Sequence, residues 1–200
     1  GQRTKEFIQA KAQEYKIDIV GGSVAIKENE QFYNTTYIVD KQGKLISEYR
    51  KVHLFRLMDE DKYLAAGEQK NVFELSGVKS ASFICYDIRF PEWLRTVAKE
   101  KLSIIYVVAQ WPQTRIEQWK ALLVARAIEN QAYVVAVNRV GDNPDNKFNG
   151  HSLIINPLGE VLSDSGDQET LTVYDLDTSE MEKFTQQIHV FEDRRPELYD

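Results

Sequence analysis

The sequence predicts a layered α/β domain built on a mixed β-sheet. Segments of β-type composition outnumber helical ones, and they are joined both as hairpins and through helices. Two of them, residues 102–109 and 132–137, are apolar but for Ser103, as strands covered on both faces are.

Residues 4–16 read as a helix with Phe7, Ile8, Ala12 and Tyr15 on one stripe. A strand at 17–20 runs into the Gly21-Gly22 bend. Residues 31–39 and 45–52 are β-rich and flank Asp40-Lys41-Gln42-Gly43; Asp first and Gly fourth suit a type I turn, so a hairpin is expected. Residues 72–75 and 81–84 are the next strands, and the second leads straight into Cys85. Pro91 fits the first turn of a helix reaching Lys101, where its missing N–H costs nothing. Residues 116–130 place Ile116, Trp119, Leu122, Leu123, Ala127 and Ile128 on one helical face. Residues 152–155 and 160–162 flank Asn156-Pro157-Leu158-Gly159, with proline in its favoured second place. A last strand is expected at 171–176, and Ser179 with Glu182 makes a capping box for a short helix. Residues 189–200 are charged, contain Pro196 and show no period, so they read as a tail, frayed or draped over a partner subunit. With no linker or repeat, residues 1–200 are read as one domain.

Composition excludes several classes of function. No apolar run approaches the roughly 20 residues that span a bilayer, so no membrane partner is expected. A net charge of -6 without a basic block argues against a nucleic-acid backbone. Three dispersed histidines and one cysteine offer no zinc spacing, and no glycine-rich phosphate loop is present, so neither metal nor cofactor is expected. The lone cysteine forbids an internal disulfide and suits the cytoplasm.

Two residues stand out for chemistry, and each has two readings. Cys85 ends an apolar strand and precedes a short polar turn and a proline-started helix; that layout presents a nucleophile beside free backbone N–H groups, yet a small buried cysteine is also ordinary. Lys51 ends a strand, either as a solvated terminus or as a cation aimed at a developing oxyanion. His53, two residues on, reads as structural rather than as a base for Cys85.

Three blocks together resemble the nitrilase superfamily of carbon–nitrogen hydrolases over nearly the whole chain. They are Tyr49-Arg50-Lys51-Val52-His53-Leu54-Phe55, then Cys85-Tyr86-Asp87-Ile88-Arg89-Phe90-Pro91-Glu92-Trp93, then Ala125-Arg126-Ala127-Ile128-Glu129-Asn130-Gln131. The resemblance implies a four-layer α-β-β-α sandwich with mixed sheets, commonly dimeric, and a Glu–Lys–Cys triad without metal or cofactor. Carried over by position, Cys85 is the nucleophile, Lys51 the triad lysine, and the Tyr86 backbone N–H a second oxyanion donor. Glu60 matches the second glutamate that some members add, or is one acid in an acidic loop. The general-base glutamate belongs to a strand and loop upstream of Gly1, and Glu6, Glu14 and Glu28 stand in the wrong context to replace it. The chain opens on glycine rather than methionine, so it is read as N-terminally truncated; ending at Gly1, it would be a defective sandwich with little turnover.

The run Ala109-Gln110-Trp111-Pro112, followed by Arg115 and Trp119, resembles the ω-amidase-like branch. That implies hydrolysis of the terminal amide of a small dicarboxylic acid monoamide such as 2-oxoglutaramate, with ammonia released from a Cys thioester. Such a substrate carries a carboxylate, which makes Arg89, Arg115 and Trp111 candidates to hold it, although the arginines could be solvated and Trp111 could be core. Competing readings are a catalytically silent binding protein of this fold, or a nitrilase or carbamoylase of the same superfamily.

Overall fold

The computed structural model describes residues 1–199, apart from the side chains of residues 180, 182, 184 and 187. The first sheet is centred on β3 (Gln31–Val39), which pairs antiparallel with β4 (Leu45–Arg50) along one edge. Along its other edge it pairs with β1 (Ile19–Val20) and β2 (Val24–Glu28) in succession. The β3–β4 turn forms as expected: the Asp40 carboxylate accepts the Gln42 and Lys44 N–H groups at 2.9 and 3.0 Å, and Gly43 supplies the positive φ that closes it.

The second sheet is mixed. It runs β12-β11-β8-β7-β6-β5, with β5 (Val72–Leu75), β6 (Val78–Ile84), β7 (Ile104–Ala109), β8 (Tyr133–Asn138), β11 (Leu153–Ile155) and β12 (Val161–Asp164). The β6–β7 and β7–β8 pairs are parallel, each bridged by a helix; the remaining pairs are antiparallel. A small hairpin, β9 (Val140–Asp142) with β10 (Lys147–Asn149), stands apart.

The pleat of β3 shows how the layers stack. Tyr37 and Val39 point to one face, where they pack on Ile8 and Ala12 of α1 (Gln2–Tyr15). Ile38 points to the other and meets Phe73 and Leu75 of β5, so the two sheets lie face to face. The outer face of the second sheet is covered by α3 (Pro91–Ala98) and α4 (Ile116–Asn130), through a core that includes Phe83, Leu94, Ile105, Trp119, Leu123 and Val134. The order is therefore helix, sheet, sheet, helices. No described helix is long and apolar enough to cross a membrane.

Several sequence expectations need correction. Of the α1 stripe only Ile8 and Ala12 are buried, because the short helix meets its sheet on a narrow line; Phe7 and Tyr15 are exposed. Ile128 likewise turns out of the α4 core face. Residues 171–176 pair with no strand among the described residues, and Leu171 and Val173 stand exposed despite their β-type composition. β2 was not anticipated, since its turn to β3 uses Asn29 and Glu30, both at positive φ, without the glycine that signals such turns. The expected capping box lies partly outside the described residues, at Glu182; the cap that forms is Asp177, whose carboxylate accepts the Ser179 N–H at 2.9 Å. In the tail, Phe191 packs back on the main core beneath the Arg95 guanidinium, 4.8 Å from its ring.

Candidate active site

Cys85 sits where β6 ends and a short 3-10 turn, Cys85–Arg89, begins. Its φ of 49° is left-handed, a conformation that costs a non-glycine residue about 1–2 kcal/mol and here turns the side chain off the strand. The parallel register pairs Ile84 with Val108, which brings the following residues beside Gln110; Cys85 Sγ lies 4.0 Å from the Gln110 carbonyl. The Tyr86 N–H falls in the first turn of the 3-10 helix, where no intrahelical acceptor exists. Burial pushes the Cys85 thiol up, partly countered by the Lys51 ammonium; the Glu60 carboxylate adds to the rise.

Lys51 extends the β3–β4 ladder by one bond, its N–H donating to the Asn34 carbonyl at 2.8 Å. Tyr49 and Lys51, two residues apart, share the face turned toward the second sheet, and the Lys51 side chain is 1% exposed. A buried ammonium needs a partner, and it has one. Lys51 Nζ donates to both Glu60 oxygens at 2.7 and 2.6 Å, and Glu60 also accepts the Phe55 N–H at 2.8 Å. Glu60 opens α2 (Glu60–Tyr63), where a carboxylate is favoured by the helix dipole. Gly67 closes the arrangement: its N–H donates to the Lys51 carbonyl, and a Cβ there would lie 2.3 Å from the Arg50 carbonyl oxygen. Gly67→Ala is expected to cost about 1–3 kcal/mol by forcing the β4 end to shift, measurable by denaturant unfolding.

Lys51, Glu60 and Cys85 line one cavity of about 250 Å³, with Phe55, Met58 and Gln110 among its walls. Cys85 also borders a narrow slot shared with Tyr86, Arg89, Trp111 and Arg115. Trp111 is buried in the main core, donates its indole N–H to the Arg115 carbonyl at 2.8 Å, and presents its face to the Arg89 guanidinium at 4.8 Å. Arg89 is further held by the Gln118 side-chain carbonyl. The Arg115 guanidinium lines the slot and stands 6.0 Å from the centre of the Phe55 ring, which borders both slot and cavity. Glu6, Glu14 and Glu28 lie elsewhere, paired with Gln2, Lys11 and Arg50 respectively.

Two polar residues around the site escaped the sequence reading. Asp87, fully buried, gathers donors from Tyr49, His53 and Ile84. Asn138 pins the Trp111 backbone by accepting its N–H at 2.7 Å and donating to its carbonyl at 3.1 Å. His53 stacks on Phe90 with ring centres 3.8 Å apart and bonds Asp87 through Nδ1, a structural post. Among the described residues no group of three or more His, Cys, Asp or Glu could hold a metal ion.

A family model for carbon-nitrogen hydrolases matches residues 2–186. The chain belongs to the carbon–nitrogen hydrolase family. Among its relatives is a 2-oxoglutaramate amidase from Bacillus subtilis, 48% identical over 199 residues that cover 100% of this chain and 77% of the relative. An ω-amidase from Homo sapiens is 31% identical over 208 residues, covering 100% of this chain and 75% of that protein. Among solved carbon–nitrogen hydrolases, a mutant amidase from Nesterenkonia sp. AN1 superposes with a TM-score of 0.85 at 27% identity, covering 99% of this chain and 72% of that one. It shows covalent addition of the acetamide moiety of fluoroacetamide at the active site cysteine. The sandwich of this chain is the family's fold.

Proposed function

We propose that this carbon–nitrogen hydrolase is an ω-amidase that releases ammonia from the terminal amide of a small dicarboxylic acid monoamide, 2-oxoglutaramate or a close analogue. The observation that carries this is the opening of the Cys85 thiol and the Lys51–Glu60 pair onto one small cavity, with Arg89 and Arg115 lining the slot on the other side of Cys85. The relatives named for 2-oxoglutaramate and ω-amide hydrolysis support the substrate.

The chemistry follows from the geometry. An amide nitrogen is a poor leaving group, so the Cys85 sulfur first forms a C–S bond and a thioester, dividing one hard step into two easier ones. The raised thiol pKa means the resting nucleophile carries its proton, so a carboxylate must accept that proton during attack and pass it to the departing ammonia. In the Glu–Lys–Cys triad that the family resemblance implies, this task is the glutamate's. Lys51 and the Tyr86 N–H hold the carbonyl oxygen as it becomes an anion. Glu60 fixes the Lys51 side chain through both carboxylate oxygens. Water, activated by the same base, then frees the acid.

The substrate's far carboxylate meets Arg115, which lines the slot beside Cys85, while Arg89 is already occupied by Gln118 and Trp111. Arg115→Ala is expected to raise KM for 2-oxoglutaramate about 10- to 100-fold, the worth of a charge-assisted hydrogen bond, with kcat little changed. We place the protein in the cytoplasm on its single cysteine, and infer a homodimer from the family resemblance.

Ammonia release from a form of the protein that carries the triad glutamate, compared across 2-oxoglutaramate, a simple nitrile and a carbamoyl amine, tests the proposal. Preference for the monoamide is expected. Preference for the nitrile or the carbamoyl compound would move the activity elsewhere in the superfamily, and no turnover of any would leave a binding protein.

A further inference from the structure

We propose that Asp87 is a positioning residue that holds the Cys85 turn and the Lys51 strand end in register. The inference rests on reading Cys85 and Lys51 as the reacting pair. Asp87 is 0% exposed, a placement that is costly for a carboxylate unless its lone pairs are filled. All of them find donors. Oδ2 accepts the Tyr49 hydroxyl at 2.7 Å and the Ile84 N–H at 3.0 Å. Oδ1 accepts the His53 N–H at 3.0 Å and faces His53 Nδ1 at 2.8 Å.

The sources of these donors matter more than their number. Tyr49 and His53 stand two residues before and two residues after Lys51, so the carboxylate grips the chain on both flanks of the lysine. Ile84 immediately precedes Cys85, and Asp87 itself follows two residues later. One rigid group therefore ties both flanks of Lys51 to both flanks of Cys85. A residue that served only to cap the 3-10 turn would need the Ile84 N–H alone. The grip is braced from behind: Tyr49 Oη accepts the Trp93 indole N–H at 3.1 Å, and His53 stacks on Phe90, which anchors it to the start of α3. Asparagine cannot replace Asp87 here. Its amide NH₂ would face donors, and the Ile84 and His53 backbone N–H groups cannot reverse roles.

Cys85 is the sole cysteine, so its alkylation by iodoacetamide reads this register directly and needs no substrate. The charged groups acting on the thiol are Lys51 from the end of β4, Glu60 from α2 and Asp87 from its own turn. In the otherwise unchanged protein at pH 7, Lys51→Met removes the cation that favours the thiolate and is expected to slow alkylation about tenfold. In an Asp87→Asn background the same replacement should slow it about twofold or less, because the cation no longer sits where it governs the sulfur. A merely structural Asp87 would lower stability and leave the two slowings equal; equal slowing overturns the proposal. Tyr49→Phe keeps the carboxylate and the ring while removing one donor, and should give an intermediate slowing. If Asp87→Asn yields no folded protein, Tyr49→Phe decides, and a full tenfold effect in that background counts against the proposal. Failure of the ω-amidase assignment would appear separately, as absent turnover with the coupling intact. An absent Lys51 effect in the parent protein would dissolve the pair and the proposal with it.

Discussion

Replacing Cys85 with serine or alanine is expected to abolish ammonia release while leaving the protein folded. The thioester route needs a sulfur that can be deprotonated near neutral pH, and a serine hydroxyl is far weaker as an acid. Removing the nucleophile of a comparable hydrolase costs about 10⁶-fold in turnover, so a loss of at least about 10⁴-fold is the expectation here. The fold should tolerate the change. Cys85 packs, partly buried, against two core clusters without filling either, and its polar contact is the long approach to the Gln110 carbonyl. Either variant should therefore unfold within about 1 kcal/mol of the parent. A folded Cys85→Ala protein with normal turnover would remove Cys85 from the chemistry.

What could be read from the sequence follows from how local each signal is. The β3–β4 hairpin, the long apolar strands β7 and β8 and the helix α4 are set by period and turn chemistry within a few residues, and these form almost at their expected bounds. Cys85 was visible because an apolar strand, a cysteine and a proline-started helix are consecutive. Lys51 was visible through the block around it. Asp87 was not, because its donors lie 34 and 38 residues away at His53 and Tyr49, and nothing local distinguishes it from a solvated acid in a turn. Asn138 is the same case: it reaches Trp111 across 27 residues. The segment 171–176 erred in the opposite direction. Its composition favours a strand, but a strand also needs a neighbour with free backbone groups, and pairing is not a property of the segment itself.

The second large effect is expected from Lys51→Met, and it separates catalysis from stability. Methionine nearly matches the lysine stem in volume, so the space between the sheets stays filled and the loss is of charge alone. Without the ammonium, one donor to the developing oxyanion disappears, which typically lowers turnover about 100- to 1000-fold. At the same time the Glu60 carboxylate loses the partner it holds through both oxygens. Orphaning one member of a buried pair costs about 3–5 kcal/mol; Glu60 is 19% exposed and keeps the Phe55 N–H, which places the loss at or below the lower end. The double variant Lys51→Met with Glu60→Gln tells the two apart. Neutralising the orphaned carboxylate should restore most of the stability, read by denaturant unfolding, and none of the turnover. If stability and turnover recovered together, Lys51 would be a structural cation and the oxyanion would have to be held by backbone N–H groups alone.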